Sequence, residues 1–244
     1  MPSNYYNVTM RELSIVIPTL NEEASIGVLI SEILALSDTL KIIVVDDSSI
    51  DRTQEVVKAI IAKFPRQVHL ISREVRLNGL GGAYIEGYKL AASLGSNWII
   101  QMDADGQHAP SDLNRIWDAR KPETIIVGSR YCKNGSVEGW SKFRLLISKL
   151  GNAYFRTLHK TVVKDCTGGF KLIPTRLAQK LWVIPPSSNG FTFHAETTAR
   201  AISRKIPITE VPITFRVRSA GNSKMSFSSG LESLIAILKW KLRN

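Results

Sequence analysis

Cysteine is scarce in this sequence: its 244 residues contain two, Cys132 and Cys166. Two cysteines cannot build a disulfide framework, and no Cys/His cluster has zinc spacing, so both read as structural. Long apolar runs are missing as well. No stretch approaches the roughly 18–20 residues that span a bilayer, and the C-terminal Leu234–Leu238 run is far shorter. The opening MPSNYYNVTMREL lacks the charged-then-apolar pattern of a signal peptide. Together these absences predict a soluble or peripheral, cytoplasmic protein. There is also no G-x-x-x-x-G-K-[ST] phosphate loop. The glycine-rich stretch Asn78-Gly79-Leu80-Gly81-Gly82-Ala83 does not have G-x-G-x-x-G spacing and does not follow the first strand, which argues against a dinucleotide site. It reads as a flexible turn before a helix, with a backbone able to pass close to a nucleotide or sugar.

What the chain does have is positive charge. It carries 32 Lys and Arg against 21 Asp and Glu, formally +11, with 44% apolar residues, which excludes wholesale disorder. The charge is unevenly placed. Residues 1–122 hold 12 basic and 15 acidic residues, whereas 123–244 hold 20 and 6. Such asymmetry points to a polyanionic partner: nucleic acid, anionic lipid or phosphate. A nucleic-acid-binding module would interleave exposed aromatics with Lys and Arg and carry a docking motif. Neither is found, so nucleic acid is the partner least favoured.

The patterning predicts an α/β fold with a mostly parallel sheet, in one domain spanning residues 1–244. Leu13–Pro18, Lys41–Val45, Trp98–Met102 and Thr124–Val127 are short β-branched runs that read as buried parallel strands. Between them Glu22–Leu36, Thr53–Phe64 (after Asp51, a plausible N-cap) and Gly82–Leu94 have helical spacing. In the basic half, Ser141–Lys160 carries Phe143, Leu146, Ile147, Leu150, Tyr154 and Leu158 on one stripe. Thr209–Val217 alternates as a strand, and Gly230–Leu242 reads as a terminal helix.

Three of the strands end in acid-bearing segments: Pro18-Thr19-Leu20-Asn21-Glu22, Asp46-Asp47-Ser48-Ser49 and Asp103-Ala104-Asp105-Gly106-Gln107-His108. Ligands of open α/β sheets bind at the carboxyl ends of strands. Five carboxylates gathered there (Glu22, Asp46, Asp47, Asp103, Asp105) need a cation or hydrogen-bond donors to offset their repulsion. A lone D-x-D is usually a solvated turn. Three acidic ends in register are better explained by a site in which Asp103 and Asp105, with the neutral oxygen of Gln107, hold Mg²⁺ or Mn²⁺ against substrate phosphates.

The segments IVIPTLNEE, VVDDSSIDRT, RLNGLGGAY, MDADGQH, GSRY, DCTGGFK and EVPITFRVRSAGNSKMS resemble the family-2 glycosyltransferases, and among them the dolichol-phosphate or polyprenol-phosphate mannosyltransferases. The resemblance runs from about Leu13 to Leu242. It implies a GT-A fold, a nucleotide-sugar donor, a divalent metal and a lipid-phosphate acceptor. It divides the domain into a nucleotide- and metal-binding half, about 13–122, and an acceptor-binding half, about 123–244. Position by position, it implies that Pro18, Leu20, Glu22, Val44 and Asp46 line the nucleoside pocket, supported by Asp47. Asp103, Asp105 and Gln107 would hold the metal, with the Ala104 backbone close to the donor. Arg130, Arg144 and Ser148 fall where the family binds the acceptor phosphate, and Arg218 and Lys224 where it clamps the donor diphosphate. Asp165, Gly169 and Phe170 match its D-x-x-x-G-F turn beside the sugar. Leu20 stands where the family usually has Tyr, which bears on base stacking. The Q-x-x-R-W signature of processive synthases is missing, which favours a single transfer.

The implied reaction is an inverting transfer of mannose from GDP-mannose to a polyprenyl phosphate, with Asp105, Arg130 and Arg144 as its catalytic groups. The same fold acting on UDP-glucose or UDP-GlcNAc, or on another acceptor, is the alternative. A phosphate monoester is anionic near neutral pH, with a second pKa of about 6, and can attack without a dedicated general base. His108, His159 and His194 are accordingly read as structural or surface residues. A polyprenyl acceptor places the chain on the cytoplasmic membrane surface and allows for a membrane-embedded partner protein. Either Ser141–Lys160 or Leu231–Arg243 would make that contact as a basic amphipathic helix, or else pack as a core helix with a solvated face.

Overall fold

The computed structural model describes residues 10–183, 186, 190 and 192–217. In chain order its elements are β1 (Leu13–Thr19), α1 (Ile26–Leu34), β2 (Lys41–Asp46), α2 (Thr53–Ile61), β3 (Val68–Ser72), α3 (Gly79–Ser93), β4 (Trp98–Gln101) and α4 (Asp112–Asp118). These are followed by β5 (Ile125–Ser129), β6 (Ser136–Val137), α5 (Lys142–His159), β7 (Lys171–Pro174), α6 (Thr175–Leu181), α7 (Thr192–Ser203), β8 (Ile208–Pro212) and β9 (Thr214–Phe215). Seven strands form one sheet in the order β3-β2-β1-β4-β7-β5-β8. Neighbours pair in parallel except at β7, which runs antiparallel to both β4 and β5.

Successive residues of β1 and β2 point to opposite faces, and both faces are covered. Ile15, Ile17, Ile42 and Val44 join a core with Ile30 of α1, Val57 of α2 and Ile116 of α4. Val16, Ile43 and Val45 join a second core with Tyr84 and Tyr88 of α3, Leu177 of α6 and Phe193 of α7. This two-sided burial explains why the strands read as continuous apolar runs. α3 lies so close to the sheet that a Cβ at Gly87 would overlap Val16 Cγ1 and come within 3.2 Å of Val45 Cγ2.

Three local expectations change. The 209–217 stretch is two strands rather than one: β8 joins the main sheet, and β9 pairs with β6. The break falls after Pro212, which has no N–H to continue a ladder. The helix after the glycine-rich stretch begins at Gly79, behind Asn78 at φ 60°, so Gly79–Gly82 form its first turn rather than a loop. Asp51 sits one residue before the observed cap of α2, Arg52, yet its Oδ1 accepts the Thr53 N–H at 3.0 Å.

α5 starts cleanly, with Ser141 Oγ accepting the Arg144 N–H at 3.2 Å. It buries Asn152, Phe155 and His159. Its apolar stripe faces outward instead: Phe143 is 65% exposed, Leu146 54% and Leu150 55%. These three side chains lie outside the core of the described residues, whereas Leu158 packs against a small buried cluster around Phe155. Among the described residues, no helix is long and apolar enough to cross a membrane. The expected helix at Gly230–Leu242, with its Leu231–Arg243 face, lies outside the described residues.

Candidate active site

The acidic strand ends come together as the parallel topology requires. Thr19 aligns with Asp46 across β1 and β2. The carbonyl of Thr19 accepts the Asp47 N–H at 2.9 Å, and that of Val16 accepts the Met102 N–H at 3.1 Å. The first residues after β5, Arg130 to Cys132, and the approach to β7 open on the same edge.

At the β1–β2 side, most of the acidic charge is compensated by the protein itself. Asp46 is fully buried and all four of its acceptor positions are taken. Oδ1 receives the Ser49 N–H at 3.0 Å and Gln54 Nε2 at 2.7 Å; Oδ2 receives Thr19 Oγ1 at 3.0 Å and Ser49 Oγ at 2.5 Å. Asp46 therefore shapes the loop, and a ligand reaches its carboxylate only by displacing a donor. Asp47 pairs with Arg73 Nη1 at 2.6 Å. Burial pushes its carboxyl up, and Arg73 and Arg76 only partly offset this. Val44 is fully buried among core residues. Pro18 is buried in β1, while Leu20 and Glu22, just after it, are half-buried. The Glu22 N–H is fixed by Thr53 Oγ1 at 2.8 Å.

Beyond β4 the environment differs. Asp103 Oδ1 accepts the Tyr84 hydroxyl at 3.1 Å and faces His194 Nε2 at 3.6 Å; Oδ2 lies 4.0 Å from His108 Nδ1. Burial opposes ionisation of Asp103, but contacts with His194, His108 and Tyr84 outweigh it and hold the carboxyl well below the usual range. His108 Nδ1 accepts the Asp103 backbone N–H at 3.2 Å, as a neutral imidazole can, and burial keeps His108 below its ordinary pKa. Asp105 is buried, and its Oδ1 accepts the Gln107 N–H at 3.0 Å. Ala104 between them is also buried. The Gln107 carboxamide donates to the Arg216 carbonyl at 3.1 Å, which turns its oxygen away from Arg216. Among the described residues no cluster of three or more His, Cys, Asp or Glu forms a complete cation cage. Two carboxylates with one residue between them nevertheless fit a hard divalent cation whose remaining ligands are phosphate oxygens.

The basic side is built differently again. Arg130 is buried against Asp165, which accepts its Nε and Nη2 at 2.7 Å each and its backbone N–H at 2.9 Å. Nη2 also reaches Thr167 Oγ1 at 3.0 Å. Burial alone would depress the Arg130 pKa; Asp165 more than offsets it, so the proton is held firmly. Arg130 and Arg144 both stack on Trp140, at 5.7 and 4.0 Å from its centroid. The Tyr131 hydroxyl and Ser148 Oγ lie 2.7 Å apart. Arg130, Arg144 and Ser148 are thus brought together, with Trp140 and Tyr131 as partners that sequence patterning missed. Phe215 links the two sides, packing on His108 at 5.3 Å and on Trp140 at 5.6 Å. Phe170 stacks on His108 at 4.9 Å. Arg218 and Lys224 lie outside the described residues. His159 packs on the Phe155 ring, as a structural residue does.

A glycosyl transferase family 2 model matches residues 14–182. This chain belongs to that family. It is a glycosyltransferase, and the antiparallel strand set into a parallel sheet is that of the GT-A fold. Over 236 residues the chain is 34% identical to the polyprenol monophosphomannose synthase of Mycolicibacterium smegmatis, covering 96% of this chain and 88% of that one. It is 33% identical to the undecaprenyl-phosphate mannosyltransferase of Micrococcus luteus, over 96% of this chain and 95% of the relative. Similarity also extends to the dolichol-phosphate mannosyltransferase of Pyrococcus furiosus, at 33% over 94% of this chain and 64% of the relative. Among solved structures, a glucosyl-3-phosphoglycerate synthase from Mycobacterium tuberculosis superposes with a TM-score of 0.68 at 18% identity, covering 99% of this chain and 85% of that one. Tyr84 and His194 are the buried partners of Asp103 that strand-end reasoning does not connect to it. Both come from helices far from the acidic segments in sequence.

Proposed function

We propose that this glycosyltransferase moves mannose from GDP-mannose to a polyprenyl phosphate at the cytoplasmic face of a membrane. The reading is supported by relatives named as lipid-phosphate mannosyltransferases at 33–34% identity over nearly the whole chain. The observation that carries it is the clustering of Arg130, Trp140 and Arg144 at the start of α5, the helix whose apolar stripe is exposed. A phosphate at those arginines has a lipid-compatible surface beside it and the Asp103–Asp105 pair on the same sheet edge.

Asp103, Asp105 and Gln107 would hold Mg²⁺ or Mn²⁺. When bound, the cation supplies charge to offset the diphosphate leaving group as the anomeric C–O bond breaks. Leu20 and Glu22 would bound the nucleoside, with Pro18, Val44 and Asp47 supporting the pocket from behind. Arg218 and Lys224 would reach the donor diphosphate. Arg130 cannot swing freely, because Asp165 clamps it. It would act as a fixed cation, with the more exposed Arg144 completing the grip on the acceptor. A phosphate oxygen then attacks the anomeric carbon from the face opposite the diphosphate and inverts it. No side chain takes a proton, because the nucleophile is already anionic. Holding both anions in line is the main contribution of the chain.

Incubation with Mn²⁺, polyprenyl phosphate and a panel of labelled nucleotide sugars, followed by lipid extraction, tests the reading. Label is expected in lipid from GDP-mannose. Label from UDP-sugars alone replaces the donor assignment, and no label from any donor removes the reading. Asp105→Asn is expected to lower transfer at least 100-fold while leaving the thermal midpoint within a few degrees; full activity in that variant removes the metal assignment.

A further inference from the structure

We infer that His194, on α7, is a positioning residue that orients Asp103 for the divalent cation; the inference rests on the metal reading above. His194 is 2% exposed, and neither ring nitrogen has a hydrogen-bond partner. Buried polar groups are nearly always paired, so an imidazole left this way needs an explanation. Its Nε2 faces Asp103 Oδ1 from 3.6 Å, just beyond hydrogen-bond range, and the Tyr84 hydroxyl already donates to that same oxygen.

The surroundings allow the ring little other movement. Its carbonyl is anchored by Lys171 Nζ and by Thr198 Oγ1, each at 3.2 Å. The Tyr84 ring meets it edge-on at 5.6 Å. Gly169 closes over the pair: a Cβ there would lie 2.9 Å from Asp103 Oδ2 and 3.0 Å from His194 Nε2. The short travel open to His194 ends in a hydrogen bond to Asp103. Two donors on one oxygen then fix the plane of the carboxylate, as outer partners of metal-ligating groups do. Glu196, on the same helix, is held by Arg200 and does not compete.

The test is a Mn²⁺ titration of the full chain with GDP present, reading free Mn²⁺ by electron paramagnetic resonance. His194→Ala is expected to weaken Mn²⁺ binding roughly 10–100-fold. His194→Gln, whose amide can still donate, is expected to recover most of it, with thermal midpoints reporting folding separately. Wild type that binds Mn²⁺, Asp105→Asn that does not, and an unaffected His194→Ala would overturn this inference alone. Wild type that binds no Mn²⁺ overturns it together with the metal reading. A nitrogen hyperfine coupling to bound Mn²⁺ that vanishes in His194→Ala would make His194 a direct ligand and overturn the positioning role. Should His194→Ala not fold, His194→Gln against the shorter His194→Asn carries the same test: tighter Mn²⁺ binding by Gln is expected, and equal affinities overturn the inference.

Discussion

α3 and α5, helices of 15 and 18 residues, are attached to the sheet in opposite ways. α3 is seated by close apolar contact: Ala83, Tyr84, Gly87, Tyr88 and Ala91 are buried, and Gly87 lets its backbone meet Val16. α5 keeps most of its apolar stripe exposed and is tied down through Phe155, buried with Cys166, Ala195 and Ala199, and through Asn152. Asn152 Oδ1 accepts the Cys166 N–H at 2.7 Å, while Nδ2 donates to Thr167 Oγ1 at 3.2 Å. Thr167 in turn receives Arg130 Nη2. One helix therefore seats in the main core; the other packs through a small cluster near its C-terminal end and joins an exposed apolar face to the arginine cluster. Helical spacing of apolar residues does not distinguish these cases, because it reports a stripe and not what covers it.

The contrast can be broken at either helix. Gly87→Val should force α3 away from β1 and cost about 3 kcal/mol of stability by denaturant unfolding; a loss below about 1 kcal/mol would mean the seat is loose. Between the helices, Lys171 at the start of β7 is fully buried, with its ammonium donating to the Gly168 and His194 carbonyls. Burial pushes its pKa down to about 8, only partly offset by Asp165. The unfolded chain then binds the extra proton between pH about 8 and 10.5, so stability should rise with pH across that window. Between pH 7.5 and 9.5 wild type should gain roughly 2 kcal/mol relative to Lys171→Met; parallel curves would contradict a lysine whose pKa is lowered by burial. Asn152→Ala leaves the Cys166 N–H unpaired and should cost about 1–2 kcal/mol. Its effect should be larger on acceptor KM than on donor KM, and equal effects on both would mean that α5 is not coupled to the arginine cluster in particular.

Much of the sheet was legible because β1, β2, β4 and β5 are β-branched runs buried on both faces. β3, VHLIS, escaped because it is an edge strand with half-buried residues and no clean period. β7, KLIP, escaped because it opens on a buried lysine, a residue that normally marks a surface. α7, TFHAETTARAIS, is polar in composition yet buried over most of its length, its threonines and charges paired inside the fold. The acidic strand ends were legible for a topological reason: parallel neighbours bring their carboxyl ends to one edge. The fate of each acid was not. Asp46 and Asp47 are absorbed by Ser49, Gln54 and Arg73, whereas Asp103 is held by groups from α3 and α7 that no local pattern connects to it.

The exposed face of α5 admits the most direct test. Phe143→Glu, Leu146→Glu and Leu150→Glu together remove the stripe at positions that bury little, so stability should change by less than about 0.5 kcal/mol per site. Mannose transfer is then measured to polyprenyl phosphate in anionic vesicles and to a short, water-soluble prenyl phosphate. The triple variant should lose at least tenfold on vesicles and keep transfer to the soluble acceptor. Unchanged transfer to both, or equal loss on both, would contradict a glycosyltransferase that meets its acceptor through α5.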